Sequence, residues 1–131
     1  MKPATSENVK LRRFGSFDIL PVPKPRMTQR DKWKQRDCVL RYYAFKDAVR
    51  LHNVSLPNEY RVTFYMPMPK SWSNKKKLEL SGKPHTQKPD KDNLEKALLD
   101  SIYGEDSHIW SGWARKIWAE EASIFIEEII Q

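Results

Sequence analysis

The chain has 131 residues, with 24 Lys or Arg against 17 Asp or Glu, a formal net charge of +7 and a pI near 9.5. This is room for one domain of roughly 100–200 residues rather than a multidomain enzyme, and the charge favours a polyanion, an anionic membrane face or an acidic small molecule as partner. The single cysteine, Cys38, excludes an internal disulfide and a CxxC zinc pattern, and no apolar run approaches the roughly 18 residues of a membrane span. A reducing, cytoplasmic setting is expected, without membrane insertion or secretion. Charge is also unevenly placed: residues 1–91 carry 21 basic and 8 acidic side chains, residues 92–131 carry 3 and 9. A basic body joined to an acidic segment suits a polyanion surface built around a site that needs carboxylates.

Residues 1–13 are expected to be flexible, with the folded domain at 14–131. Phe14 to Leu20 alternates weakly as a strand and ends at Pro21-Val22-Pro23-Lys24-Pro25, where prolines at every second position force an extended segment that holds Lys24 and Arg26 out from the surface. Arg36 to Leu51 places Val39, Tyr42, Tyr43, Ala48 and Val49 on one helical face, with Lys46 and Arg50 on the polar side and Cys38 toward the core. Tyr60 to Met66 is dense in β-branched and aromatic residues and stops at Pro67, as a strand does. Ser71-Trp72-Ser73-Asn74 caps a short helix over Lys75 to Leu80, ended by Gly82, and His85 to Pro89 is a loop.

Asp92 is the expected N-cap of a helix in which Leu94, Ala97, Leu98, Ser101 and Ile102 form the apolar stripe, with Gly104 as its stop. Trp113 to Trp118 and Ala122 to Ile130 read as a C-terminal β-hairpin. The order predicts an α+β or mixed α/β fold: a small mixed sheet of about four strands with helices packed on it.

Chemistry concentrates in Lys88 to Lys96. Asp90 and Asp92, one residue apart in an extended segment, point the same way at a helix mouth, and a divalent cation such as Mg²⁺ makes two close carboxylates tolerable. Lys96 lies one helical turn after Asp92, where it either pairs with that acid or directs its ammonium at a phosphate. Asn93, Lys96 and Asp100 line the open side. The same run is also an ordinary turn and N-cap; Glu105-Asp106, a second acidic pair beyond Gly104, favours the catalytic reading. His52, His85 and His108 have no mutual metal-ligand spacing and read as surface or loop histidines, with His108 near enough to the acidic pair for proton transfer. Lys75, Lys76, Lys77 and Lys88, and the stretch Lys24 to Lys34, are candidate phosphate contacts. Trp33 and Trp72 are placed to stack on bases or to pack in the core.

Three stretches together, Pro23-Lys24-Pro25-Arg26-Met27-Thr28, the Lys-Pro-Asp-x-Asp-Asn-x-x-Lys-x-x-x-Asp run from Lys88 to Asp100, and Glu105-Asp106-Ser107-His108-Ile109, resemble the RusA family of Holliday junction resolvases, particularly its phage-type members. The likeness spans about residues 17–130, and the central run is its most specific part. The resemblance implies metal binding by Asp90, Asp92 and Asp106, assistance from Lys96, a Mg²⁺ or Mn²⁺ cofactor, and paired cleavage of branched DNA by a homodimer in recombination and repair. Lys24, Arg26, Lys75, Lys76, Lys77 and Lys88 would contact the DNA. The interval from Asp100 to the acidic pair is shorter than in the founding member and the first acid is Glu, so the third ligand is Glu105 or Asp106. A non-catalytic DNA-binding protein whose acids cap helices, and a metal-dependent nuclease directed at flaps or RNA, are the alternatives.

Overall fold

The computed structural model describes residues 10–26, 36–103 and 111–130. In chain order these form β1 (Lys10–Phe17), α1 (Asp37–Leu51), β2 (Glu59–Pro67), α2 (Asn74–Leu80), α3 (Lys91–Ile102), β3 (Ser111–Ala119) and β4 (Ser123–Ile130). The expected α+β architecture is present, with four strands in one mixed sheet of order β1-β4-β2-β3.

β2 is central because its sequence is apolar enough to be enclosed. Tyr60, Val62, Phe64 and Met66 alternate onto one face and are buried, and Ile126 and Ile124 of antiparallel β4 lie opposite Val62 and Phe64. α1 and α3 complete this core through Val39, Tyr42, Phe45 and Val49 and through Leu94, Ala97 and Leu98. Each large apolar side chain so enclosed contributes about 1.5–3 kcal/mol relative to exposure. Across the sheet, Thr63 is fully buried even though it is polar, because Arg115 Nε donates to its Oγ1 at 2.7 Å. Arg61 Nε donates to Glu127 Oε1 at 2.8 Å beside it.

The predicted C-terminal hairpin does not form. Both strands exist, but β3 pairs parallel with one edge of β2 and β4 pairs antiparallel with the other. The link Glu120–Ala122 carries the chain over the end of β2: Ala119 lies opposite Pro67 and Ser123 opposite Tyr65. A short link fits a hairpin equally well. Here the need of β2 for backbone partners on both edges decides the pairing.

β1 begins at Lys10, so Lys10–Arg13, expected to be flexible, are strand paired with Glu127–Ile130. A bulge between Arg13 and Gly15 breaks the alternation, which hid the first half of the strand. Residues 1–9 lie outside the described residues. α2 ends as expected, with Gly82 at φ +80°, a conformation costly for residues with a Cβ.

Candidate functional site

Two of the candidate acids, Asp90 and Asp92, stand where α3 begins. Asp90 takes extended backbone (φ −68°, ψ 144°) and is itself the N-cap; its carbonyl accepts the N–H of Asn93 at 3.1 Å and of Leu94 at 3.3 Å. Its side chain makes no capping hydrogen bond, so the carboxylate is not engaged at its own helix end. The expectation of Asp92 as N-cap is therefore corrected. The helix starts two residues earlier than that cap requires, and Asp92 sits in its first turn, where negative charge complements the helix dipole. With Asp92 helical, strand-like alternation no longer puts the two carboxylates on one side, and residues two apart on a helix do not face each other, so the expectation that both acids point the same way is corrected as well. Asp92 is 73% exposed, with Lys91 Nζ 3.6 Å from Oδ1, and Lys96 stands exposed one turn further along.

An open cleft of about 440 Å³ lies beside this helix end, lined by Pro23, Lys24, Lys88, Pro89, Asp90 and Asn93. The proline-rich segment forms one wall. Lys24 N–H donates to the carbonyl of Asn93 at 3.1 Å, and its ammonium pairs with Asp100. Lys24 is thus docked along α3 rather than held out from the surface, because the extended backbone leaves its N–H free to find a carbonyl there. Asp100 Oδ2 also accepts from Tyr42 Oη at 3.3 Å. Burial, and then the negative charge of Asp100, push the Tyr42 hydroxyl up to about 12, so it stays a donor. Arg26 does not line this cleft: it borders an apolar hollow of about 460 Å³ with Pro25, Cys38 and Met66, which also takes in Pro23 and Pro89, and its carbonyl accepts from Arg36 at 2.7 Å.

Two residues of the site were not anticipated from sequence. Lys116, on β3, donates from Nζ to the carbonyls of Gln87 at 2.5 Å and Pro89 at 2.7 Å, tying the segment that leads into Asp90 to the sheet. Burial lowers its pKa and the charge of Asp90 opposes that shift. The signal was present: strand alternation puts Lys116 on the same face as Ala114 and Trp118, and a lysine directed at a core needs a partner.

His85, expected at the surface or in an open loop, is 6% exposed, its ring tilted against that of Trp118 with centroids 4.1 Å apart. Its backbone N–H donates to the Lys116 carbonyl at 2.9 Å, which fastens the loop to the edge of β3 and brings the ring against Trp118. Its Nδ1 has no partner among the described residues, and burial, then Lys116, lower its pKa.

Tyr60 and Glu95 fix the orientation of α3 on the sheet. Tyr60 Oη donates to Glu95 Oε2 at 2.6 Å, and Gly112 on β3 leaves room for the ring, since a Cβ there would overlap it.

Lys75, Lys76 and Lys77 stand on α2, outside the cleft that holds Asp90; Lys76 lies 4.3 Å over the Trp72 ring, and Trp72 packs 4.7 Å from Trp118. Trp72 is therefore a packing residue. Trp33, Glu105, Asp106 and His108 lie outside the described residues. Among the described residues, no three His, Cys, Asp or Glu side chains are grouped to hold a metal ion, and no helix is long and apolar enough to cross a membrane.

A search of curated proteins finds no match to the chain. A family model, that of the endodeoxyribonuclease RusA, matches residues 1–128. Its members resolve Holliday junctions as endodeoxyribonucleases. The match takes in the cleft, the acids of α3 and the proline segment that docks on them, and the chain belongs to the RusA endodeoxyribonuclease family.

Proposed function

We propose that the protein is a divalent-metal-dependent endonuclease that resolves four-way DNA junctions by paired cuts, acting as a homodimer in recombination and repair. One observation carries this reading: Asp90, with its side chain not spent on capping, shares an open cleft with Lys24 and Lys88 in a chain of this family. The donor set fits a hard cation, because Asp90 lines the cleft with a carboxylate and no thiol or imidazole does, and Asp92, exposed at the same helix end though not among the lining residues, offers a second. Asp106, outside the described residues, is the third ligand in this reading. Mg²⁺ or Mn²⁺ held there supplies Lewis-acid stabilisation of charge on the reacting phosphate.

The remaining work belongs to the chain. Lys88, which lines the cleft with Asp90, binds a backbone phosphate beside the scissile one, while Lys24, docked through its backbone on Asn93 and through its ammonium on Asp100, meets phosphates further along α3. Lys96 places its ammonium against negative charge developing on the phosphate oxygens. Lys116 holds the carbonyls ahead of Asp90, so the acid is positioned before substrate arrives.

The test is cleavage of a four-way junction, a flap, linear duplex and RNA, each with and without Mg²⁺. Junction-selective, Mg²⁺-dependent paired cutting is expected, and cutting of RNA or flaps in preference would overturn the junction assignment. Two matched cuts need two sites, whereas the chain carries one acidic constellation, so sedimentation should give about twice the 15.5 kDa monomer mass. A strictly monomeric protein that makes paired cuts removes the dimer.

A further inference from the structure

Beyond the cleft at the start of α3, a second hollow of about 430 Å³ opens at the far end of the same helix, lined by Lys24, Lys46, Arg50, Asp100, Tyr103 and neighbouring α3 residues. Lys24 lines both hollows and is the residue they share. The second one is mainly cationic. Lys46 and Arg50, four residues apart on α1, occupy one face of that helix, with Lys46 Nζ 5.1 Å over the Tyr42 ring. Its one carboxylate, Asp100, is already engaged by Lys24 and by the Tyr42 hydroxyl, so it does not counter all three cations. α1 carries these charges away from its buried residues, Val39, Tyr42, Phe45 and Val49, with Arg50 exposed and Lys46 half-buried.

Resting on the nuclease reading above, we infer that the second hollow is a phosphodiester-binding site, in which Lys46 and Arg50 grip the backbone of the DNA arm leaving the cleavage position. Asp90 and Asp100 are ten residues apart, about 15 Å along an α-helix. At about 3.4 Å of axial rise per phosphate on one strand of B-form DNA, Lys46 and Arg50 meet the arm roughly four phosphates from the scissile one. α3 thus acts as a ruler, with carboxylates at the cut and cations at the far end, bridged by Lys24. This assigns the arm to the α1–α3 surface and leaves the α2 lysines off its path.

The test compares wild type with Lys46→Gln/Arg50→Gln in junction binding at graded salt without Mg²⁺, together with phosphate-ethylation interference. The double variant should flatten the slope of log K against log salt by about 1–2 units, at about 0.9 for each phosphate it no longer neutralises. Interference roughly four phosphates from the cut should vanish, while interference at the cut remains. Because Lys46 also covers Tyr42, the exposed single variant Arg50→Gln guards against misfolding and should lose about half that slope. Arg50 further complements the C-terminal end of α1, so Arg50→Lys, which retains the charge, should bind as wild type does. A wild-type slope and an unchanged interference pattern in the double variant overturn the inference. If the wild-type protein cuts no DNA with Mg²⁺, the catalytic reading fails instead, and the slope change still reports the phosphate site.

Discussion

At the N-terminal end of α3 Asp92 is exposed over 73% of its side chain, whereas at the C-terminal end Asp100 is 28% exposed, paired with Lys24 and bonded by Tyr42. Both acids belong to one sequence motif and lie on one helix. The difference is what surrounds them: the first turn of α3 borders an open cleft walled by the proline segment, while Asp100 faces α1, which supplies Tyr42. Acids of one motif therefore divide into those left facing solvent, able to meet a ligand, and those that place other side chains. Asp100 belongs to the second kind, since its partner Lys24 is the cation shared by both hollows.

The largest effect is expected at the exposed end. Asp92→Asn should lower junction cleavage by at least about 100-fold, because Lewis-acid stabilisation is worth several kcal/mol and each 1.36 kcal/mol is tenfold in rate. Stability should change by only about 0.5 kcal/mol, the usual dipole contribution of an exposed first-turn acid. Junction affinity should hold or rise slightly, since a negative charge facing DNA is gone. A native cleavage rate in this variant would end the metal-ligand assignment. Lys96→Ala is expected next, with about a 100-fold loss in kcat and little change in junction affinity, the pattern of an interaction made in the transition state. Equal losses in binding and turnover would reduce Lys96 to a phosphate contact.

Asp100→Asn probes the other end and should invert the pattern. The ion pair with Lys24 is partly exposed, so its loss costs about 0.5–1 kcal/mol, seen as a lowered urea midpoint. Cleavage should fall by less than about tenfold, through a looser Lys24, and mainly in KM. A kcat collapse as deep as that of Asp92→Asn would place Asp100 among the ligands and erase the distinction between the two ends.

Much of this was legible in the sequence because it depends on local rules. The apolar stripe of α3, the β-branched density of β2 and the stop at Gly82 each announce themselves within a dozen residues. What was not legible depends on the partner. The β3–β4 link has hairpin length, and only the demand of β2 for two neighbours sends the strands to opposite edges. The motif lysines and acids were found by type and spacing, but the docking of Lys24 on Asn93 and the reach of Lys116 to Gln87 and Pro89 cross between elements remote in sequence. Lys46 and Arg50 were visible as the polar side of a helix; their place at the end of α3 follows from how α1 and α3 pack.

The smallest expected effect concerns the loop behind the acids, and it tests whether that loop is held from below. His85 is enclosed against Trp118 with Lys116 nearby, and burial and that ammonium both disfavour its protonation, so its folded pKa lies below 6.5. The unfolded chain then binds more protons than the folded one once pH drops below about 6.5, so the stability His85 permits at neutral pH is lost as pH falls through its lower folded value. His85→Phe retains a ring against Trp118 and removes the titrating nitrogen. Thermal unfolding from pH 7 to pH 5 should show the wild-type midpoint falling a few degrees further than that of the variant, because carboxylates common to both cancel in the comparison. Parallel midpoints across that range would mean that protonated His85 is accommodated, and that the loop beneath Asp90 yields where Lys116 is expected to hold it.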